Sequence, residues 1–250
     1  MKKIPAIALA FWIMKICATT LGETAGDLLS MTLDVGYALS SLILIGFFFV
    51  TLVGQLAARR YHPALYWAVI LSTSTAGTTM SDFMDRTLGL GYALGSALLV
   101  AILGVIFAVW RMTEKSLSVT EITTRRAELF YWAAILFSNT LGTALGDFLA
   151  DSSGLGFMGG ALLIGGLLVV VVLLTFFTKI SRVLVFWVAF VLTRPFGATM
   201  GDVLTKTPER GGLGFGTIGS SAVLATVLVA LVAREIWVQR RARTAPGGAG

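Results

Sequence analysis

Four aspartates offer the clearest chemistry in the sequence. Asp27, Asp82, Asp147 and Asp202 each end a glycine-rich segment, with a Gly five residues earlier (Gly22, Gly77, Gly142, Gly197) and a small residue directly before (Gly26, Ser81, Gly146, Gly201). A Trp precedes every Asp by fifteen residues: Trp12, Trp67, Trp132 and Trp187. Carboxylates gathered on one axis repel unless some are protonated or a cation sits among them. The chemistry they suggest is the holding of a hard cation or a proton.

On a helix, the positions fifteen, eight and four before the Asp lie within about 80° of it, so they share its face. In the first copy that face reads Trp12, Thr19, Glu23, Asp27; the others supply Ser74 and Thr78, Asn139 and Thr143, and Arg194 and Ala198. Oxygen ligands dominate this stripe. The expected metal set is Glu23, Asp27, Asp82, Asp147 and Asp202, with Thr19, Ser74 and Asn139 completing a cation-binding or coupling site. Glu23 has no acidic counterpart in the other copies and is the strongest single candidate. Lys15 and Arg194 also occur once each, and are expected to balance charge or to snorkel to a boundary. Asp34, Asp85, Asp151 and Glu209 follow the motif and are expected to make its entrance more negative.

The elements that must position these residues are membrane helices. The chain is 56% hydrophobic and 13% charged, with mean hydropathy +0.88, far from soluble composition. Apolar runs long enough to span recur at about 4–26, 35–58, 64–83, 88–110, 129–149, 155–178, 183–204 and 213–233. They lack the alternation of barrel strands. The expected fold is all-α and transmembrane: eight helices from four two-helix repeats. Each repeat contains an even number of spans, so all copies enter in the same direction and are related by an axis along the membrane normal. The expected divisions are repeat 1 at 1–60, repeat 2 at 61–112, a linker at 113–126, repeat 3 at 127–180, repeat 4 at 181–237 and a disordered tail at 238–250. The basic start, Met1-Lys2-Lys3, resembles a signal peptide, but the first span carries a full motif copy and is expected to stay.

With its tryptophans and four tandem units, the chain resembles a family of bacterial membrane proteins of unknown function, defined by four two-helix repeats, each with a characteristic tryptophan. That resemblance implies the architecture and a bacterial membrane location, and no activity. The glycines Gly22, Gly26, Gly77, Gly142, Gly146, Gly197 and Gly201 form small-xxx-small faces expected to pack helices closely. Met80, Met200 and Cys17 read as packing. Trp110 and Trp237 read as interfacial belt residues, and the repeat tryptophans as interface anchors or an aromatic lining.

Fourteen basic residues fall on one side of the spans, from Lys2 and Lys3 to Arg243, whereas Arg86, Lys206 and Arg210 fall on the other. Both termini are therefore expected in the cytoplasm of a bacterial inner membrane protein, and the net charge of +6 needs no nucleic-acid partner. One Cys, one His and no nucleotide-binding motif argue against an enzyme and against direct ATP drive. The expected function is secondary transport, with a slight leaning to export, of a cation such as Mn²⁺ or Mg²⁺, exchanged for protons and without a tightly bound cofactor. The partners are the lipid bilayer and a small cation, and a homo-oligomer is compatible with the sequence. Transport of an organic cation or amphiphile, and a non-transporting scaffold or sensor, are the alternatives.

Overall fold

The structure is a computed structural model that describes residues 3–244, and these contain helices and turns but no strand. Eight long helices follow in order: α1 (Leu9–Asp27), α2 (Tyr37–Ala57), α3 (Pro63–Asp82), α4 (Gly91–Glu114), α5 (Arg125–Asp147), α6 (Gly156–Phe177), α7 (Arg182–Thr205) and α8 (Thr217–Thr244). Each repeat is one odd and one even helix.

Each of the first three aspartates stands where an α-helix widens into a π-type turn, at 28–32, 83–87 and 148–152. The Leu33 amide, for example, donates to the Leu28 carbonyl at 2.8 Å. Gly36, Gly91 and Gly156 follow at φ of 77°, 70° and 66°, a region costly for a side chain, and turn the chain into the even helix. The fourth repeat instead carries a short 3₁₀ turn at Pro208–Arg210, where its extra residues lie.

The odd helices form a closed ring: α1 packs on α3, α3 on α5, α5 on α7, and α7 back on α1. The even helices stand outside it, each packing chiefly on the odd helix of the next repeat, so that α2 covers α3, α4 covers α5, α6 covers α7 and α8 returns to cover α1. The repeats are thereby interleaved around one pseudo-fourfold axis.

Six helices, α2 and α4 to α8, are long and apolar enough to cross a bilayer. The even helices among them present exposed side chains such as Leu42, Val50, Leu162 and Val229, as lipid-facing surfaces do. α1 and α3 fall short in apolarity, not length, with 19 and 20 residues. Their polar residues, among them Lys15, Glu23 and the Ser72–Thr75 run, are buried against neighbouring helices. A helix that buries most of its surface against neighbours needs little apolar covering. The molecule is a multi-pass membrane protein of eight helices.

Two local expectations need correction. Helix α8 continues to Thr244, so the stretch from 238 to 244 is helical, not an irregular tail; Lys2 and residues 245–250 lie outside the described residues. Trp67, Trp132, Trp187 and Trp110 are at most 5% exposed, which places them in the core and not in an interfacial belt. Trp237, at 52% exposed, does lie on the surface, with the Arg241 guanidinium over its ring.

Candidate cation site

The glycines decide how the ring closes. A methyl group on Gly22 would overlap Ser74 Oγ; one on Gly142 would overlap the Arg194 stem, and one on Gly197 would overlap Thr19 Oγ1. At Gly77 it would meet the Thr140 backbone nitrogen at 2.9 Å. One turn on, Gly26 faces Thr78, Gly146 faces Ala198 and Gly201 faces Glu23. The small face of each odd helix thus receives the polar stripe of the next, all the way round. Close approach is what brings the four stripes to one axis.

At one end of that axis the four aspartates converge within a single chain. Asp27, Asp82, Asp147 and Asp202 line a cavity of about 60 Å³ together with Glu23, and all five are at most 5% exposed. Carboxylate oxygens of Glu23, Asp147 and Asp202 lie within 4.8 Å of one another. The aspartates are therefore not wet boundary residues.

Two basic side chains hold the ring together. Arg86 reaches Asp82 at 2.9 Å through Nε and Asp147 at 3.1 Å through Nη2. Lys206 Nζ reaches Asp27 at 2.8 Å and Asp202 at 3.2 Å. Burial disfavours charge on both, but the paired carboxylates outweigh it and hold each group's pKa above its ordinary value. By sequence alone both are loop residues outside the spans. Their signal was a basic residue four positions after the Asp in repeats 2 and 4 only, one helical turn on, where a carboxylate meets a cation. Arg210 lines the same cavity, so all three basic residues of this end belong to the site.

One turn deeper, Glu23 pairs with Arg194, Oε2 to Nη2 at 3.0 Å. Arg194 is fully buried and also donates to Thr78 Oγ1 at 2.5 Å, Thr143 Oγ1 at 2.7 Å and the Thr19 and Ser74 carbonyls at 3.2 and 3.3 Å. Thr78 and Thr143 also lie 3.3 Å from Glu23 Oε2. Of the expected neutral ligands, Thr19 turns its hydroxyl to backbone carbonyls, Ser74 Oγ is buried without a partner, and Asn139 bridges Thr73 and Lys15. None of the three reaches the carboxylate ring. Lys15 does not snorkel: it is fully buried, 3.3 Å from Asn139 Oδ1 and 4.2 Å from the Phe190 ring centroid. Asp85 also departs from expectation. It is tucked against Gly95 and accepts from Ser81 Oγ at 3.3 Å, away from the entrance, and burial raises its carboxyl pKa.

The other end of the axis is closed by an aromatic collar. Phe11 packs on Trp67, Tyr66 on Trp132, Tyr131 on Trp187 and Phe186 on Trp12, with centroids 5.5 to 6.1 Å apart. The Tyr66 and Tyr131 hydroxyls, on the neighbouring helices α3 and α5, meet at 2.6 Å within it. The repeated Trp is one half of an aromatic dipeptide, Phe-Trp or Tyr-Trp, in every copy. That dipeptide is the collar's signal in the sequence.

A family description, Repeat of Unknown Function (DUF347), matches the chain four times, over residues 10–61, 65–116, 130–181 and 185–241. The chain belongs to this repeat family. Each match starts just before a repeat Trp and takes in one odd and one even helix. No curated protein and no solved structure matches the chain. For a family described as one of unknown function, chemistry has to be argued from the ring itself.

Proposed function

We propose that the chain is a secondary carrier of a small metal cation such as Mn²⁺ or Mg²⁺, exchanged for protons at the ring of Asp27, Asp82, Asp147, Asp202 and Glu23. The observation that carries this reading is the charge imbalance. The five buried carboxylates, with Asp151 at the rim of the same cavity, face four cations, Arg86, Arg194, Lys206 and Arg210, which leaves two formal negative charges in a site largely shut off from water. Two protons or one divalent cation restore neutrality, and a site that accepts either in turn exchanges them. The triad of Glu23, Asp147 and Asp202 offers hard oxygen ligands, the kind both ions prefer. The cavity of about 60 Å³ has room for a few waters or one ion and disfavours an organic cation.

The same reading places the protein in a bacterial inner membrane, with both termini and the linker between α4 and α5 in the cytoplasm. Of the described loop and helix-end residues, Lys3, Arg59, Arg60, Arg111, Lys115, Arg125, Arg126, Lys179, Arg182 and Arg234 lie toward the linker end, in accord with the positive-inside rule. The acidic ring then faces outward and the aromatic collar is the inner barrier.

Flux into proteoliposomes carrying a metal-sensitive dye, under an imposed pH gradient, tests the proposal. Metal entry should accompany proton movement and fall at least about tenfold in Asp147→Asn, which removes a ligand charge. If neither ion moves under any gradient, the chain is a scaffold or sensor.

A further inference from the structure

A second cavity, of about 680 Å³, lies at the linker end between α4 and α7, remote from the acidic ring. Leu184, Val188 and Leu192 of α7 and Phe107 of α4 form its apolar wall, with Trp187 as its floor, fixed by a 3.0 Å bond from Nε1 to the Leu117 carbonyl. Arg111, Lys115, Ser116 and Ser181 cluster at its mouth, and no acidic residue lines it. At two of the three pseudo-symmetry-related positions the helices close up, since α2 touches α5 and α8 touches α3. Here the ring leaves a gap.

We propose that this cavity is a binding site for an anionic glycerophospholipid. An apolar trough in the side of a membrane protein, ending in two cations at the level where the helices leave the bilayer, is complementary to an acyl chain attached to a phosphate. Arg111 and Lys115 supply the charge. Ser181 starts α7 without capping it, so its hydroxyl is free to donate to a phosphate oxygen. The site owes nothing to the acidic ring.

The test is native mass spectrometry of the full chain, released from detergent after incubation with equal amounts of a phosphatidylglycerol and a phosphatidylethanolamine of the same acyl chains. The phosphatidylglycerol adduct should dominate, and each of Arg111→Gln and Lys115→Gln should lower its affinity about fivefold, the effect of one basic residue at a membrane surface. Val188→Trp, which fills the trough, should remove both adducts; Arg111 and Lys115 are exposed, so their variants keep the test sound if Val188→Trp does not fold. Equal adducts of the two lipids would overturn the proposal. So would sn-glycerol 3-phosphate competing as well as the intact lipid, or a dimer of the chain that Val188→Trp dissociates.

Discussion

At the residue scale, the pair of Glu23 and Arg194 sets the character of the axis. Removing one partner of a buried ion pair leaves the other charged and unsatisfied, at a cost of about 3–5 kcal/mol, whereas replacing both with neutral groups costs much less. Glu23→Gln and Arg194→Gln should each lower thermal stability in detergent sharply, and the double variant should recover much of the loss. A cycle in which the two losses simply add would mean that the pair is not coupled. Lys206 makes a second, pH-dependent case. Its folded pKa lies above the ordinary value of 10.5, so its stabilisation is complete below that value and is lost only as pH rises through the higher folded one. The stability advantage over Lys206→Met should therefore stay constant through neutral pH and decline only in strong alkali, a comparison that thermal melts across pH can make.

At the element scale, stability rests on the approach of one odd helix to the next. Gly77 lies against the backbone of α5, which has no flexible side chain to yield, whereas Gly46 on α2 has open space around it. Gly77→Ala should destabilise the protein by about 1–3 kcal/mol, and Gly46→Ala should be neutral or slightly favourable. Unfolding in denaturant separates the two outcomes. The collar behaves differently. Tyr66→Phe with Tyr131→Phe removes the hydroxyl contact between the neighbouring helices α3 and α5 while keeping the ring packing, so it should leave the fold intact and, if the collar is the inner barrier, alter the rate of metal flux.

The same scale shows what the sequence could disclose. Helix existence follows from apolar length, and the common depth of the four aspartates from repeats of even span number, but neither tells whether they converge within one chain or between chains. Arg86 and Lys206 are not legible as site residues because they lie outside the spans and only two of the four copies carry a base there. The burial of Trp67 and Trp132 is hidden in the sequence for another reason. Trp near a helix end is ordinarily an interfacial residue, and only the neighbouring Tyr66 and Tyr131, packing onto the next helix, reveal a collar. Helix order around the ring was not legible at all, since interleaving depends on which surfaces fit.

At the scale of the whole molecule, α8 covers α1, so the acidic ring is complete in one chain and needs no second copy. Orientation is open to direct measurement. With Cys17 replaced by Ala, a cysteine at Lys115 should resist a membrane-impermeant maleimide applied to intact cells, whereas one at Arg210 should react; the reverse pattern would invert the proposed topology.

The closed ring also places the first repeat beside the fourth, and Glu23 and Arg194 meet across that seam. Four identical two-helix chains could form the same ring of aspartates, but any acid or base added to such an assembly would appear four times. A lone glutamate facing a lone arginine requires a stoichiometry of one, which identical chains cannot provide and a fused chain does. Joining the repeats freed each to mutate separately, and the ion pair at the seam is a product of that freedom.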